Sequence, residues 1–179
     1  VYTDYSPKFF GDRLGYIIYN RQKISVAYLS IGYLDKKNTD TDTNNDNIQD
    51  NISNYTYSDS GFQYSEQFNS NKKLWDESND DKITYKVTNG KYYVAHKRTT
   101  KGYSTHNDVY VDTNKDFEIE TKIDKISGVT NYAYGLMWGK KAGNSFRFYI
   151  SSGGYYKIVR NVDSKEQVIK KWTKTSYVN

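Results

Sequence analysis

The stretch Asp116-Phe-Glu-Ile-Glu-Thr-Lys-Ile123 decides the fold class. Its odd positions Phe117, Ile119 and Ile123 point one way, while Asp116, Glu118, Glu120 and Lys122 point the other. A period of two is the mark of a β-strand with one face on a core and one in water. Working outward, Tyr132 to Trp138, Ser145 to Ile150, Tyr155 to Val159, Tyr16 to Tyr19 and Ile24 to Ile31 read the same way. All are rich in Tyr, Ile, Val and Phe, the residues that suit a pleated, half-buried surface. Turn signals punctuate them: Asn89-Gly90, Ser127-Gly128, Ala142-Gly143-Asn144 and Ser152-Gly153-Gly154. Short, evenly spaced strands with such turns predict an all-β fold, an antiparallel β-sandwich of jelly-roll type. The one place where a helical turn is expected is Ser164 to Ile169.

Composition narrows the chemistry. The 179 residues suffice for one domain, or one domain with a tail. With no cysteine in the chain, disulfides, thiolate metal sites and thiol nucleophiles are excluded. A net charge of +5 comes from Lys residues that mostly alternate with Asp and Glu, which reads as solvated sheet faces. Lys170, Lys171 and Lys174 form the one dense basic cluster, and with no nucleic-acid motif beside it, a nucleic-acid partner is not expected. No apolar window is long enough to span a bilayer, so membrane insertion is not expected either. Because it starts at Val1 without Met, the chain reads as a processed product or a piece of a longer one.

The segment from Asp35 to about Ser60 is nearly all Asn, Asp, Thr, Ser and Lys and reads as a polar linker. It divides the chain into residues 1–34, the linker 35–60 and a body 61–179. Inside the linker, Asp42-Thr-Asn44-Asn-Asp46-Asn-Ile48-Gln-Asp50 places oxygen side chains at alternating positions. Such spacing can wrap a hard cation, which makes Asp42, Asn44, Asp46 and Asp50 candidate Ca²⁺ ligands. A plain Asn/Asp-rich spacer is the favoured explanation of the run, because such spacers are common.

Five motifs give the body a family likeness: Asn89-Gly-Lys-Tyr-Tyr93, Asp116-Phe-Glu-Ile-Glu120, Tyr134-Gly-Leu-Met-Trp-Gly139, Phe146-Arg-Phe-Tyr-Ile150 and Gly154-Tyr-Tyr-Lys-Ile158, followed by Trp172. In this order they resemble the laminin-G-like, concanavalin A-like sandwiches of multidomain bacterial proteins. The closing strands of that family are not found after Trp172. Phe9-Phe-Gly-Asp-Arg-Leu-Gly-Tyr-Ile-Ile-Tyr19 and Ile24-Ser-Val-Ala-Tyr-Leu-Ser-Ile31 resemble them at the other end of the chain. Two explanations stand: a cut through tandem repeats, or a circular permutation whose linker joins the old ends. On either, residues 1–34 are expected to complete a sandwich, in cis or in a neighbouring chain, with self-association as the consequence of the latter. The linker run resembles the calcium repeats of thrombospondin type 3, with Asn47 where those carry Gly.

The resemblance implies a non-catalytic, extracellular or cell-surface bacterial module whose partner is a carbohydrate or a cell-surface protein. Sugar binding uses flat aromatic rings flanked by hydrogen-bonding side chains, and Tyr103, Trp138, Arg147, Tyr149 and Tyr155 are the candidates. Arg147 and Tyr149 alternate with Phe146, Phe148 and Ile150 and are expected to face outward, whereas Trp138 belongs to the bulky face of its strand. A structural repeat assembling by strand complementation is the alternative. A glycoside hydrolase using Glu118 and Glu120 is a second, because carboxyls two apart on a strand approach the spacing that retaining hydrolysis needs. His96 and His106 sit in polar surroundings and read as surface residues.

Overall fold

A computed structural model describes residues 11, 13–36, 55–99, 102–112 and 115–178; the side chains of 35–36 and 55–63 are not part of that description. Twelve strands follow in chain order: β1 (Arg13–Tyr19), β2 (Lys23–Lys36), β3 (Tyr55–Glu66), β4 (Ser78–Asn79), β5 (Ile83–Thr88), β6 (Lys91–His96), β7 (Gly102–Asp108), β8 (Asp116–Ser127), β9 (Tyr134–Lys141), β10 (Asn144–Ser151), β11 (Tyr155–Val162) and β12 (Lys165–Lys174). They form two antiparallel sheets, an all-β sandwich. The first sheet runs β12-β11-β10-β9-β1-β7. The second runs β3-β2-β6-β5-β4, with β8 along the other side of β2.

Strands from the first 34 residues lie inside both sheets. β1 pairs on one side with β7 and on the other with β9. β2 pairs with β8 along one side and, in succession, with β6 and β3 along the other. Its alternation breaks at a register shift between Val26 and Tyr28. Before the shift Ile24 and Val26 are buried, and after it Leu29 and Ile31 are. A bulge inserts one residue and flips the parity while bending the strand, which lets β2 pass from one neighbour to the next.

The core between the sheets gathers Leu14, Tyr16 and Ile18 of β1, the buried residues of β2, Tyr92 and Val94 of β6, and Tyr134 and Leu136 of β9. The loop after β3 contributes Phe68 and Trp75, whose ring centroids lie 5.3 Å apart edge-to-face. Trp75 also meets Tyr92 at 5.1 Å and Tyr16 at 5.8 Å. Asn71 holds this loop shut, its Oδ1 accepting from the Trp75 amide at 2.8 Å and its Nδ2 donating to the Trp75 carbonyl at 3.0 Å. Offset and edge-on aromatic pairs of this kind add to plain burial.

Three expectations need correction. The segment Ser164 to Ile169 is strand: Asp163 and Ser164, at φ 50° and 66°, form the two-residue turn that pairs Val162 with Lys165. Left-handed values at both turn positions match the twist of the flanking strands, so β11 continues directly into β12. Secondly, β3 begins at Tyr55, inside the segment 35–60 read as linker, because β2 extends to Lys36 and offers it a partner edge. Thirdly, His96 is buried, with its ring 4.8 Å from that of Tyr103 and its Nδ1 accepting from the Arg21 amide at 3.3 Å. The candidate Ca²⁺ ligands Asp42, Asn44, Asp46 and Asp50 lie outside the described residues.

Candidate functional site

The outer face of the first sheet, turned away from the core, is where the sequence candidates converge. In β10 the outward positions are Ser145, Arg147, Tyr149 and Ser151; their partners across the ladder in β11 are Asn161, Val159, Lys157 and Tyr155. On the other side Arg147 faces Met137 and Tyr149 faces Gly135 of β9. These face Gly15 and Ile17 of β1 in turn. Tyr149 is only 4% exposed although none of the described strands forms a third layer over it. Side-chain neighbours account for its burial. It packs with Ile17 and Val159, against Tyr19 and Ala133. The Tyr19 ring meets it edge-on at 5.9 Å, and the Trp172 ring of β12 lies 6.5 Å away.

Polar contacts lock this cluster. The Tyr19 and Tyr149 hydroxyls share a hydrogen bond at 3.1 Å. The Arg147 guanidinium donates to the Tyr149 hydroxyl at 3.0 Å and to the Ser145 hydroxyl at 3.3 Å. With its amide turned to suit the guanidinium, Asn161 accepts three further bonds from it, at 2.9, 3.0 and 3.3 Å. Burial, foremost, holds the Tyr149 phenol well above the usual tyrosine range. It stays neutral at any ordinary pH and serves as a hydrogen-bonding group.

Comparison with protein-family models, with curated proteins and with solved structures finds no significant match to this chain. What the site can do must be read from its own side chains.

Of the five sugar-binding candidates, the structure brings Arg147 and Tyr149 together and sets Tyr155 on the same face. Tyr155 is substantially exposed, with the Lys174 ammonium 4.8 Å from its ring centroid. Trp138 and Tyr103 turn inward and pack against the core, Trp138 stacking on Phe146 at 5.5 Å. Sequence reasoning missed Tyr19, Ser145, Asn161 and Trp172 as members of this surface. The available signal was parity: in β10 and β11 the polar positions 145, 147, 157 and 161 share one face with Tyr149. Glu118 and Glu120 lie on β8 of the other sheet, where Glu120 accepts from the Tyr28 hydroxyl at 2.6 Å. No trio of His, Asp and Glu suited to a metal ion occurs among the described residues.

Proposed function

We propose that this chain is a non-catalytic carbohydrate-binding module of an exported bacterial protein, built as a concanavalin A-like sandwich whose closing strands come first in the chain. The ligand lies on the outer face of the first sheet. One observation carries this reading: an ordered aromatic and polar cluster, Tyr19, Arg147, Tyr149 and Trp172, occupies an outer sheet face that no described strand covers. An ordinary solvated face has no need to fix an arginine with three neutral side chains. Preorganised polar groups beside exposed rings are what a sugar requires, with ring faces to stack on and donors fixed in place for hydroxyls. Trp172 and Tyr155 supply the exposed rings, and Arg147 supplies the donors.

Nuclear magnetic resonance titration with a panel of oligosaccharides tests this. Shifts confined to residues of β9 to β12, with loss of binding in Trp172→Ala, are expected. No response to any oligosaccharide at millimolar concentration overturns the reading.

Assembly through the same end of the sheet is a second reading. Tyr156, Ile158 and Ile169, on the inner side of β11 and β12, are only half-buried and lie outside the main core. On the outer side Val168 is 50% exposed. Sedimentation over a hundredfold concentration range tests this: a monomer throughout removes it.

A further inference from the structure

The charges around Arg147 say more about the ligand than its rings do. A half-buried guanidinium ordinarily meets a carboxylate, since removing a charge from water is costly unless it is compensated. Every partner of Arg147 is neutral: Ser145, Tyr149 and Asn161. Among the described residues no carboxylate lies within ion-pair distance of it. Further cations gather on the same face instead. Arg13 and Lys140 stand directly opposite each other across the β1–β9 ladder, beside the neutral ring of His106, which stands opposite Gly15 on β7.

Lys140 is held below the usual lysine range by burial first, then by Arg13 and Arg147. The His106 ring is likewise depressed, by burial first and then by Lys140. The anions on this side are already paired: Asp108 with Arg13 at 3.1 Å, Glu166, opposite Asn161, with Lys157 at 2.5 Å, and Asp76 beside His106 at 4.0 Å. Between them, Arg147 and Lys140 leave an excess of positive charge next to the Tyr149 and Trp172 rings.

We infer that the saccharide bound on this face carries negative charge, a carboxylate or sulfate on the pyranose, which Arg147 and Lys140 neutralise beside the exposed Trp172 ring. The inference rests on the proposed carbohydrate site and specifies its ligand class. Like charges brought together at a folding cost are a familiar design for an anion site, because the anion relieves their repulsion on binding. Arg147 suits this role: its planar fork can spend some donors on Ser145, Tyr149 and Asn161 and present the remaining edge to a carboxylate or sulfate.

The test compares three hexasaccharides by calorimetry at physiological salt: a neutral β-1,4-glucan, an oligogalacturonate and a heparin fragment. The oligogalacturonate or the heparin fragment binds at least tenfold tighter than the neutral sugar if the inference holds, and whichever of the two wins names the acid group. Lys140→Gln weakens that binding about tenfold, the scale of one lost charge-assisted hydrogen bond. Lys86→Gln removes an equal charge from the opposite sheet and leaves binding unchanged. Because Lys140 lies outside the neutral cluster around Arg147, its variant reports on charge even if Arg147→Gln fails to fold. Equal affinity for neutral and acidic sugars overturns the inference while leaving the carbohydrate site standing. An equal loss from Lys86→Gln and Lys140→Gln also overturns it, since the attraction is then that of the whole basic surface. Failure of all three sugars to bind removes the site and the inference together.

Discussion

Tyr16 of β1 and Thr121 of β8 are joined across the sandwich by a hydrogen bond of 3.0 Å. The Thr121 hydroxyl spends its own proton on the Tyr28 carbonyl at 2.7 Å, so the Tyr16 phenol is the donor to it. Three strands, β1, β2 and β8, thus meet at one part-buried hydroxyl pair. Tyr16→Phe keeps the ring and removes the donor, which costs about 1 kcal/mol, the net worth of a neutral hydrogen bond. Tyr16→Ala empties a fully buried site packed by Trp75 and Tyr92 and costs about 3–5 kcal/mol. Urea unfolding followed by tryptophan fluorescence measures both, and equal costs for the two variants contradict the assignment.

Deleting residues 1–34 removes the strand between β7 and β9 and the long central strand of the other sheet. The remainder is left with fresh unpaired edges and without Leu14, Ile18, Ile24, Val26, Leu29 and Ile31, all core residues. Such a chain has no cooperative unfolding transition and aggregates. Circular dichroism and light scattering check this; a folded, monomeric remainder shows that β1 and β2 are dispensable.

Alkaline pH is a third probe. Burial is the leading cause that raises the phenols of Tyr16, Tyr85, Tyr92 and Tyr149 far above their ordinary value, and that of Tyr64 to about 12. Unfolded, each ionises near pH 10. Below that value both states hold the proton and stability is flat. Above it the unfolded chain releases protons that the folded chain keeps, so stability falls as pH rises, by up to about 1.4 kcal/mol per pH unit for each such tyrosine. The urea midpoint is therefore constant to about pH 9.5 and drops steeply beyond. Tyrosinate absorbance then rises in two parts, the second coinciding with unfolding. A single smooth titration of all tyrosines contradicts the burial of these rings.

The fold was legible because period two survives in most strands: residues 119 and 123 and residues 16 and 18 supply the inner face as their pattern requires. Legibility failed where a local signal competes with a partner. Lys165 to Lys174 carries no period of its own, being an edge strand exposed nearly throughout, and its pairing with β11 begins at the Asp163-Ser164 turn, which the sequence did not announce. The start of β3 is polar enough to pass for linker, and its pairing with β2 is a long-range fact. For the candidate site, parity correctly set Arg147 and Tyr149 outward. Parity within one strand cannot show that Tyr19 and Trp172, from β1 and β12, close over Tyr149. Sheet order makes the site, and sheet order is what a strand pattern leaves open.

Gly135 ties the site to the sheet that carries it. It sits in β9 between Ile17 of β1 and Tyr149 of β10, beneath the aromatic cluster. A methyl group built there runs into the main-chain carbonyl oxygen of Phe148 and cannot be relieved by a side-chain rotation. Strands β9 and β10 must part, so Gly135→Ala destabilises the fold by about 1–3 kcal/mol, the usual cost of overpacking. The displacement also moves Tyr149 relative to Trp172, and the tryptophan emission of the folded variant shifts accordingly. Gly153 provides the control: a methyl there meets its nearest atom at 3.6 Å, an ordinary contact, so Gly153→Ala leaves both stability and emission unchanged. Equal behaviour of the two variants in urea unfolding would show that the close approach of β9 to β10 does not hold in solution, and with it the geometry of the site.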